Sequence, residues 1–382
     1  MPDSDGTALS ILDLAPVSEG STPAEALRNT IDLAQRAESA GYHRYWVAEH
    51  HFAPGVAASS PAVLIGAIAA ATSRIRVGAG AVQLGHQTPL AVVEAFGTLS
   101  ALYPGRIDLG LGRSGQRRQE ERKAAAKKAA SGETGKRESR VVNGLLIPPP
   151  YPHSHLLRSP RAGLQGKLLQ QPGATTPDFG DQVDDILAFL TGTWQSEDGI
   201  GMEAVPGTGS GAEIWILGSS AGQSARVAGA LGLPFAANYH VSPATVLEAV
   251  SAYRDAFQAS SVLDRPHVLV SADVVVAPSD AVARELAAPY GLWVRSVRSG
   301  DGAMKFPSPA TVAATEWTEE DQALVADRVD TQFAGSPATV AKQLRVLQDA
   351  TGADELLVTT ITHRHEDRVR SFQLLAREWG QA

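Results

Sequence analysis

Tyr45-Trp46-Val47-Ala48-Glu49-His50-His51-Phe52 is the stretch on which the reading of this chain turns. An apolar, aromatic run ends in an acid and two adjacent histidines, and Pro54-Gly55 then stops regular structure. A short apolar run closed by turn residues reads as a buried strand whose C-terminal end opens into a loop. In α/β proteins that end of a strand is where chemistry is placed. Two imidazoles that titrate near neutral pH point the same way, although one histidine capping the strand beside a solvated one would be the plainer use of the pair.

Outward from this strand, the same unit repeats. Ala8 to Ala15 reads as a strand, and Thr22-Pro23-Ala24-Glu25 starts a helix with an N-cap, a proline at its first position and a capping box. Ser60-Pro61 and Thr88-Pro89 repeat the cap-plus-proline signal after the opening strand and after the strand Ile75 to Leu84. A fourth strand follows at Gly105 to Leu111, then others at Ala212 to Leu217, Leu233 to Asn238, His267 to Ala277 and Glu355 to Thr360. Eight strands alternating with helices predict parallel pairing with right-handed crossovers and a (β/α)8 TIM barrel with insertions.

Two segments break the rhythm. Residues 114–177 are rich in charge, Gly and Pro, with ten basic and four acidic residues between Arg113 and Arg140. We expect a solvated, mobile insertion there, open to protease. Residues 296–318 are irregular and Gly/Pro-containing, and we expect a mobile lid.

The bulk numbers narrow the function classes. A chain of 382 residues with 43% hydrophobic content has material for one large barrel core. A net charge of −8 argues against a nucleic-acid or anionic-membrane surface. The absence of cysteine removes disulfides, thiol nucleophiles and zinc–thiolate sites. A polar, acidic start and the lack of a long apolar run lead us to expect a cytoplasmic protein.

Gly110-Leu111-Gly112-Arg113-Ser114-Gly115 matches a dinucleotide fingerprint by spacing alone. The residues after it are polar and charged and would not make a packing helix, and the motif sits on the fourth strand, so that reading is set aside. Gly218-Ser219-Ser220-Ala221-Gly222-Gln223-Ser224 is the better phosphate loop: it follows an apolar strand, opens a helix, and lets backbone amides and serine hydroxyls approach an anion. An ordinary serine N-cap would leave the same local signature. For the histidines, Glu49-His50-His51, His153/His155 and His363/His365 lack a recognised ligand spacing, and no metal is expected.

Four motifs in order carry a resemblance. Ala48-Glu49-His50-His51-Phe52, Arg76 to Leu84, Arg106 to Arg113 and Leu217-Gly218-Ser219-Ser220 resemble the bacterial-luciferase-like monooxygenases, across most of the chain apart from residues 114–177. The resemblance implies a TIM barrel binding FMN, or in other branches a deazaflavin coenzyme, at the C-terminal ends of the strands. It implies that His50 is the catalytic histidine near the flavin ring, with Glu49 or His51 behind it. It places Gly80-Ala81 against the ring, with a cis peptide between them, and gives Arg113, Gly218, Ser219, Ser220 and Ser224 to the phosphate. Gly112 stands where luciferases carry a cysteine and Ser219 where they carry an acid, which speaks against light emission. The implied reaction uses reduced FMN from a separate flavin reductase, dioxygen and a small organic substrate, in a homodimer. Hydride transfer with the deazaflavin coenzyme, or a non-catalytic flavin-binding protein on the same fold, are the alternatives.

Overall fold

The computed structural model describes residues 6–113, 138–151, 159–300 and 302–381. The strand signals fall on β1 (Ala8–Asp13), β2 (Arg44–Val47), β3 (Arg76–Gln83), β4 (Ile107–Gly112), β7 (Glu213–Gly218), β8 (Phe235–Asn238), β9 (Val268–Val276) and β11 (Glu355–Thr359). These eight pair in parallel in that order and close through β9–β11 and β11–β1 into the expected (β/α)8 barrel. All nine residues of β9 are buried, the near-continuous apolar run of a parallel strand covered on both faces. Three short strands lie outside the ring: β5 (Arg140–Val142), β6 (Leu145–Ile147) and β10 (Phe333–Gly335). β9 outruns its ring partner, so β11 pairs with it from Leu269 to Asp273 while β10 takes Val274 to Val276.

The cap-plus-proline signals mark helix starts. Thr22 accepts from the Glu25 amide at the head of α1 (Pro23–Ser39), and Thr88 accepts from Ala91 N–H before α3 (Pro89–Leu102). Two details differ from expectation. The Glu25 carboxylate accepts from the Ser21 hydroxyl, so the capping box is not completed on Thr22. Ser60 makes no side-chain cap bond before α2 (Pro61–Ala71), its ψ of 81° leaving it outside the extended geometry that aims a cap. No helix among the described residues is long and apolar enough to cross a membrane.

Part of the 114–177 insertion is ordered structure. β5 and β6 form a hairpin turned by Asn143 (φ 49°) and Gly144 (φ 84°), the paired left-handed residues of a tight β-turn. Leu145 and Ile147 are buried, and Tyr239 donates to the Leu146 carbonyl at 2.7 Å. Helix α4 (Pro160–Leu168) and the strap behind it reach the barrel through Gln170 Nε2 and Thr176 Oγ1, both on the Gly85 carbonyl. The hairpin therefore packs on the barrel through Leu145 and Ile147, whereas the helix and strap are held by hydrogen bonds; residues 114–137 and 152–158, with His153 and His155, lie outside the described residues. Helix α5 (Phe179–Thr191) then rejoins the barrel ring.

The N-terminal end of the barrel is closed by charge. Arg44 sends Nη1 to Asp108 and Glu213, each at 3.0 Å, and Nε to Glu355 at 3.1 Å. Arg76 pairs with Asp108 and with Glu213, Trp46 Nε1 donates to Asp108 at 2.8 Å, and the Ser10 hydroxyl donates to Glu355. Each charge sits at or near the start of its strand, so this end of the barrel is a paired network and the opposite end is left for the site.

Candidate active site

The C-terminal ends of the strands surround a cleft of about 630 Å³. Its sides come from the loop after β2, the ends of β3, β4, β7 and β8, helix α4, and helices α9 (Pro289–Ser299) and α11 (Glu319–Val329).

His50, Glu49 and His51 leave β2 as that strand ends. His50 is exposed, and the space it faces is the cleft. Protein encloses that space, so burial lowers the His50 pKa, helped by the neighbouring His51 and opposed by Glu49. The imidazole is therefore neutral near pH 7. Glu49 is buried and fully engaged: His51 Nε2 and His86 Nε2 lie 2.8 and 2.9 Å from its Oε1, and the Gln83 amide donates to Oε2 at 2.9 Å. Burial would raise its pKa, but these hydrogen bonds from His86, His51 and Gln83 hold the carboxyl below its usual value. Glu49 is thus a carboxylate that fixes its neighbours, and its oxygens are not free for substrate. Glu49, His51 and His86 also bring three potential ligand atoms within 4.8 Å of one another, a grouping that could hold a metal ion. The sequence reading had no place for His86, which comes from the turn after β3.

Gly80 and Ala81 line the cleft on β3, and the peptide between them is cis. Gly112 lies across from them; a Cβ there would sit 3.1 Å from the Ala81 methyl. Small residues on two adjacent strands leave a flat strip along this wall.

Arg113 and the Gly218–Ser224 loop, distant in sequence, meet because β4 pairs with β7, Gly112 opposite Leu217. Arg113 Nε donates to the Ser224 hydroxyl at 3.2 Å and Nη1 to Gln223 Oε1 at 3.2 Å. Gly222, at the head of α6 (Gln223–Ala230), provides no side-chain cap for that helix, and a Cβ there would stand 3.0 Å from Arg113 Nη2. A guanidinium, serine hydroxyls and uncapped helix amides make an anion cradle. Gly218, Ser219 and Ser224 line the cleft, whereas Ser220 does not. The same residues fit FMN: the cradle suits its phosphate and the strip of Gly80, Ala81 and Gly112 suits a planar ring.

The expected lid begins as helix. Residues 296–299 complete α9, and the chain beyond is stitched to the barrel mouth: Phe306 is fully buried, its amide donates to Val17, and Gly55 N–H donates to Ala303 O. His363 and His365 are elsewhere, on the Glu19 carbonyl and on Asp32. The structure also brings in residues that the sequence reading lacked: His240, Asp273, Tyr290 and Arg328. Tyr290 donates to Asp273, and Arg328 Nη2 reaches both. Burial, the Arg328 charge and His50 push His240 down to about 3.

The family model for luciferase-like monooxygenases matches residues 7–136 and 168–354. Protein YvbT of Bacillus subtilis (strain 168), whose function is uncharacterised, is 37% identical over 374 residues, 98% of this chain and 97% of that protein. An N-acetyl-S-alkylcysteine monooxygenase of the same organism is 53% identical over 106 residues, 28% of this chain and 32% of its own. Among solved structures, apo-MsnO8 superposes with a TM-score of 0.75 at 32% identity, covering 99% of this chain and 98% of its own. With its barrel, its family match and these relatives, the chain belongs to the luciferase-like monooxygenases, enzymes that use a flavin or deazaflavin cofactor.

Proposed function

We propose that the protein is an FMN-dependent monooxygenase that takes reduced FMN from a separate reductase and uses dioxygen to oxidise a small organic substrate. One observation carries this reading: Arg113 meets the Gly218–Ser224 loop at one end of a cleft that also holds His50. Arg113, Ser219, Ser224 and the amides heading α6 would hold the phosphate, and Gly80, Ala81 and Gly112 would accept the ring. When bound, reduced flavin supplies two electrons and activates dioxygen, so that one oxygen atom enters the substrate and the other leaves as water.

The protein's own contribution is proton handling and exclusion of water. A neutral His50 is set to accept a proton inside the cleft. Glu49 holds His51 and His86 in place and fixes the loop through the Gln83 side chain, which donates to its backbone carbonyl. We assign it a positioning role. Helix α4 and the chain at Gly302 and Ala303 would border the mouth, and a homodimer would complete the assembly.

The test is a pair of measurements. Equilibrium titration should show FMN binding more tightly than riboflavin, and photoreduced FMN with N-acetyl-S-alkylcysteines as first substrates should give substrate-dependent oxygen consumption. Equal affinity for FMN and riboflavin would remove the phosphate assignment. Tight binding of a reduced deazaflavin with no oxygen uptake would replace oxygenation by hydride transfer.

A further inference from the structure

The cleft has a second polar group in its lining besides the anion cradle. Arg328 of α11 and Trp293 of α9 both line the cleft and both pack around Tyr290: the Trp293 ring stacks on it at 6.0 Å and the Arg328 guanidinium lies 5.5 Å from it. Arg328 spends one amino group on this setting, Nη2 reaching Tyr290 and Asp273. Its Nε is buried without an acceptor, and so is Trp293 Nε1. Nη1 likewise has no acceptor among the described residues, and it is not sealed from the cleft as Nε is.

Arginine and the indole N–H are donors only. Arg328 Nε and Trp293 Nε1 are closed off from the cleft by protein, so Nη1 is the donor of this group that a molecule in the cleft can meet. Arg298, also in the lining, is committed elsewhere: it pairs with Asp327 and lies over the Tyr151 ring. The cleft also has apolar lining, from Leu12, Leu14, Leu269, Leu357 and Ile361, beside polar Asn238, Ser271 and Thr359. His240 and His50 line the same cleft, so a molecule held at Arg328 shares it with both imidazoles.

We propose that Arg328, through Nη1, forms a carboxylate subsite, so that the substrate is a small organic acid with an apolar body. The proposal rests on the reading of this cleft as the substrate site. It names the substrate class, and binding without turnover tests it separately from the oxygenase reading.

The experiment compares octanoate with octanamide, two probes of one shape that differ in charge, by calorimetric titration of the full-length protein with and without saturating FMN. Octanoate should bind roughly tenfold or more tightly than octanamide, the margin of a charge-assisted hydrogen bond over a neutral one. Arg328→Met should erase that preference and Arg328→Lys should keep part of it. Because Arg328→Met also loosens Asp273 and Tyr290, Arg328→Lys, which keeps the charge, is the variant that decides if Arg328→Met does not fold. Equal binding of the two probes overturns the proposal. So does a preference unchanged in either variant, or one abolished by FMN, which would put the acid at the Arg113 cradle. Failure of oxygen consumption with an intact preference would sink the oxygenase reading and leave the subsite standing.

Discussion

At the N-terminal end of the barrel, Arg44 and Arg76 face Asp108, Glu213 and Glu355, and their charges are matched within hydrogen-bond distance. At the other end, Asn238 Oδ1, Trp293 Nε1, Arg328 Nε and Thr359 Oγ1 are buried without partners, four of the ten such side-chain atoms among the described residues. All four belong to residues lining the cleft. The difference separates two uses of polar side chains. One end spends them on closing the barrel, where an unmatched charge would cost several kcal/mol. The other end leaves polar atoms unmatched in residues that line the cleft.

If that contrast is right, substitutions at the two ends should fail in opposite ways. The largest effect on folding should come from Asp108→Ala, which leaves Arg44, Arg76 and Trp46 Nε1 short of an acceptor. It should lose about 3–5 kcal/mol in urea unfolding, the cost of breaking a buried ion pair from one side. An unchanged midpoint would show that the network is dispensable and erase the contrast. His50→Ala should do the reverse: stability within about 0.5 kcal/mol of the parent, with turnover lowered roughly 10²–10⁴-fold, the share of a general acid or base. His51→Ala should lower turnover less, since its Nε2 is held by Glu49. Full activity in both variants would make the opening stretch purely structural.

Smaller again, Ser224→Ala should weaken FMN by about tenfold, one hydrogen bond to a charged group, and leave riboflavin nearly unchanged. Ser220→Ala should weaken FMN by less, because its hydroxyl stands beside Arg113 at Gly222 but outside the cleft lining. An equal loss for both ligands would move the phosphate away from this loop. The smallest signal is in pH. His240 is held at about 3, whereas an unfolded chain takes up that proton near pH 6.5. Between those values the unfolded state binds more protons, so stability should fall as pH drops from about 6.5. His240→Gln should flatten the slope of urea midpoint against pH over this window. An unaltered slope would mean that the ring is as well hydrated as one at the surface.

The barrel was legible because its signals are local. Apolar runs, Thr-Pro and Ser-Pro helix starts, and the Gly/Ser loop after β7 each depend on neighbours in sequence. His50, Arg113 and Ser224 could be read as site residues for that reason, although their meeting needed the β4–β7 pairing. The group around Arg328 was not legible. Tyr290 and Arg328 each look like a single polar residue on a helix, and their partnership with Asp273 spans three elements. One clue was present: Asp273 stands alone in Val268-Leu-Val-Ser-Ala-Asp-Val-Val-Val276, and an acid in a fully buried strand requires a partner. β10 escaped notice because three residues carry no periodicity. The hairpin was hidden by the charge and proline around it, while its own Asn143-Gly144 turn was a signal that could have been used.

The fork at the end of β9 has a bearing on how such enzymes diversify. Asp273 is the last residue that β9 shares with β11, and from Val274 onward its partner is β10. The chain between them leaves and returns at one point, pinned side by side, with the Ala277 amide on the Gly335 carbonyl. That excursion carries Tyr290, Trp293 and Arg328, and its ends stay together whatever its length. Lengthening a loop whose ends are already fixed costs only about 0.6 kcal/mol per doubling. The segment is therefore a cassette: it can be rewritten for a new substrate while the ring of eight strands keeps its register.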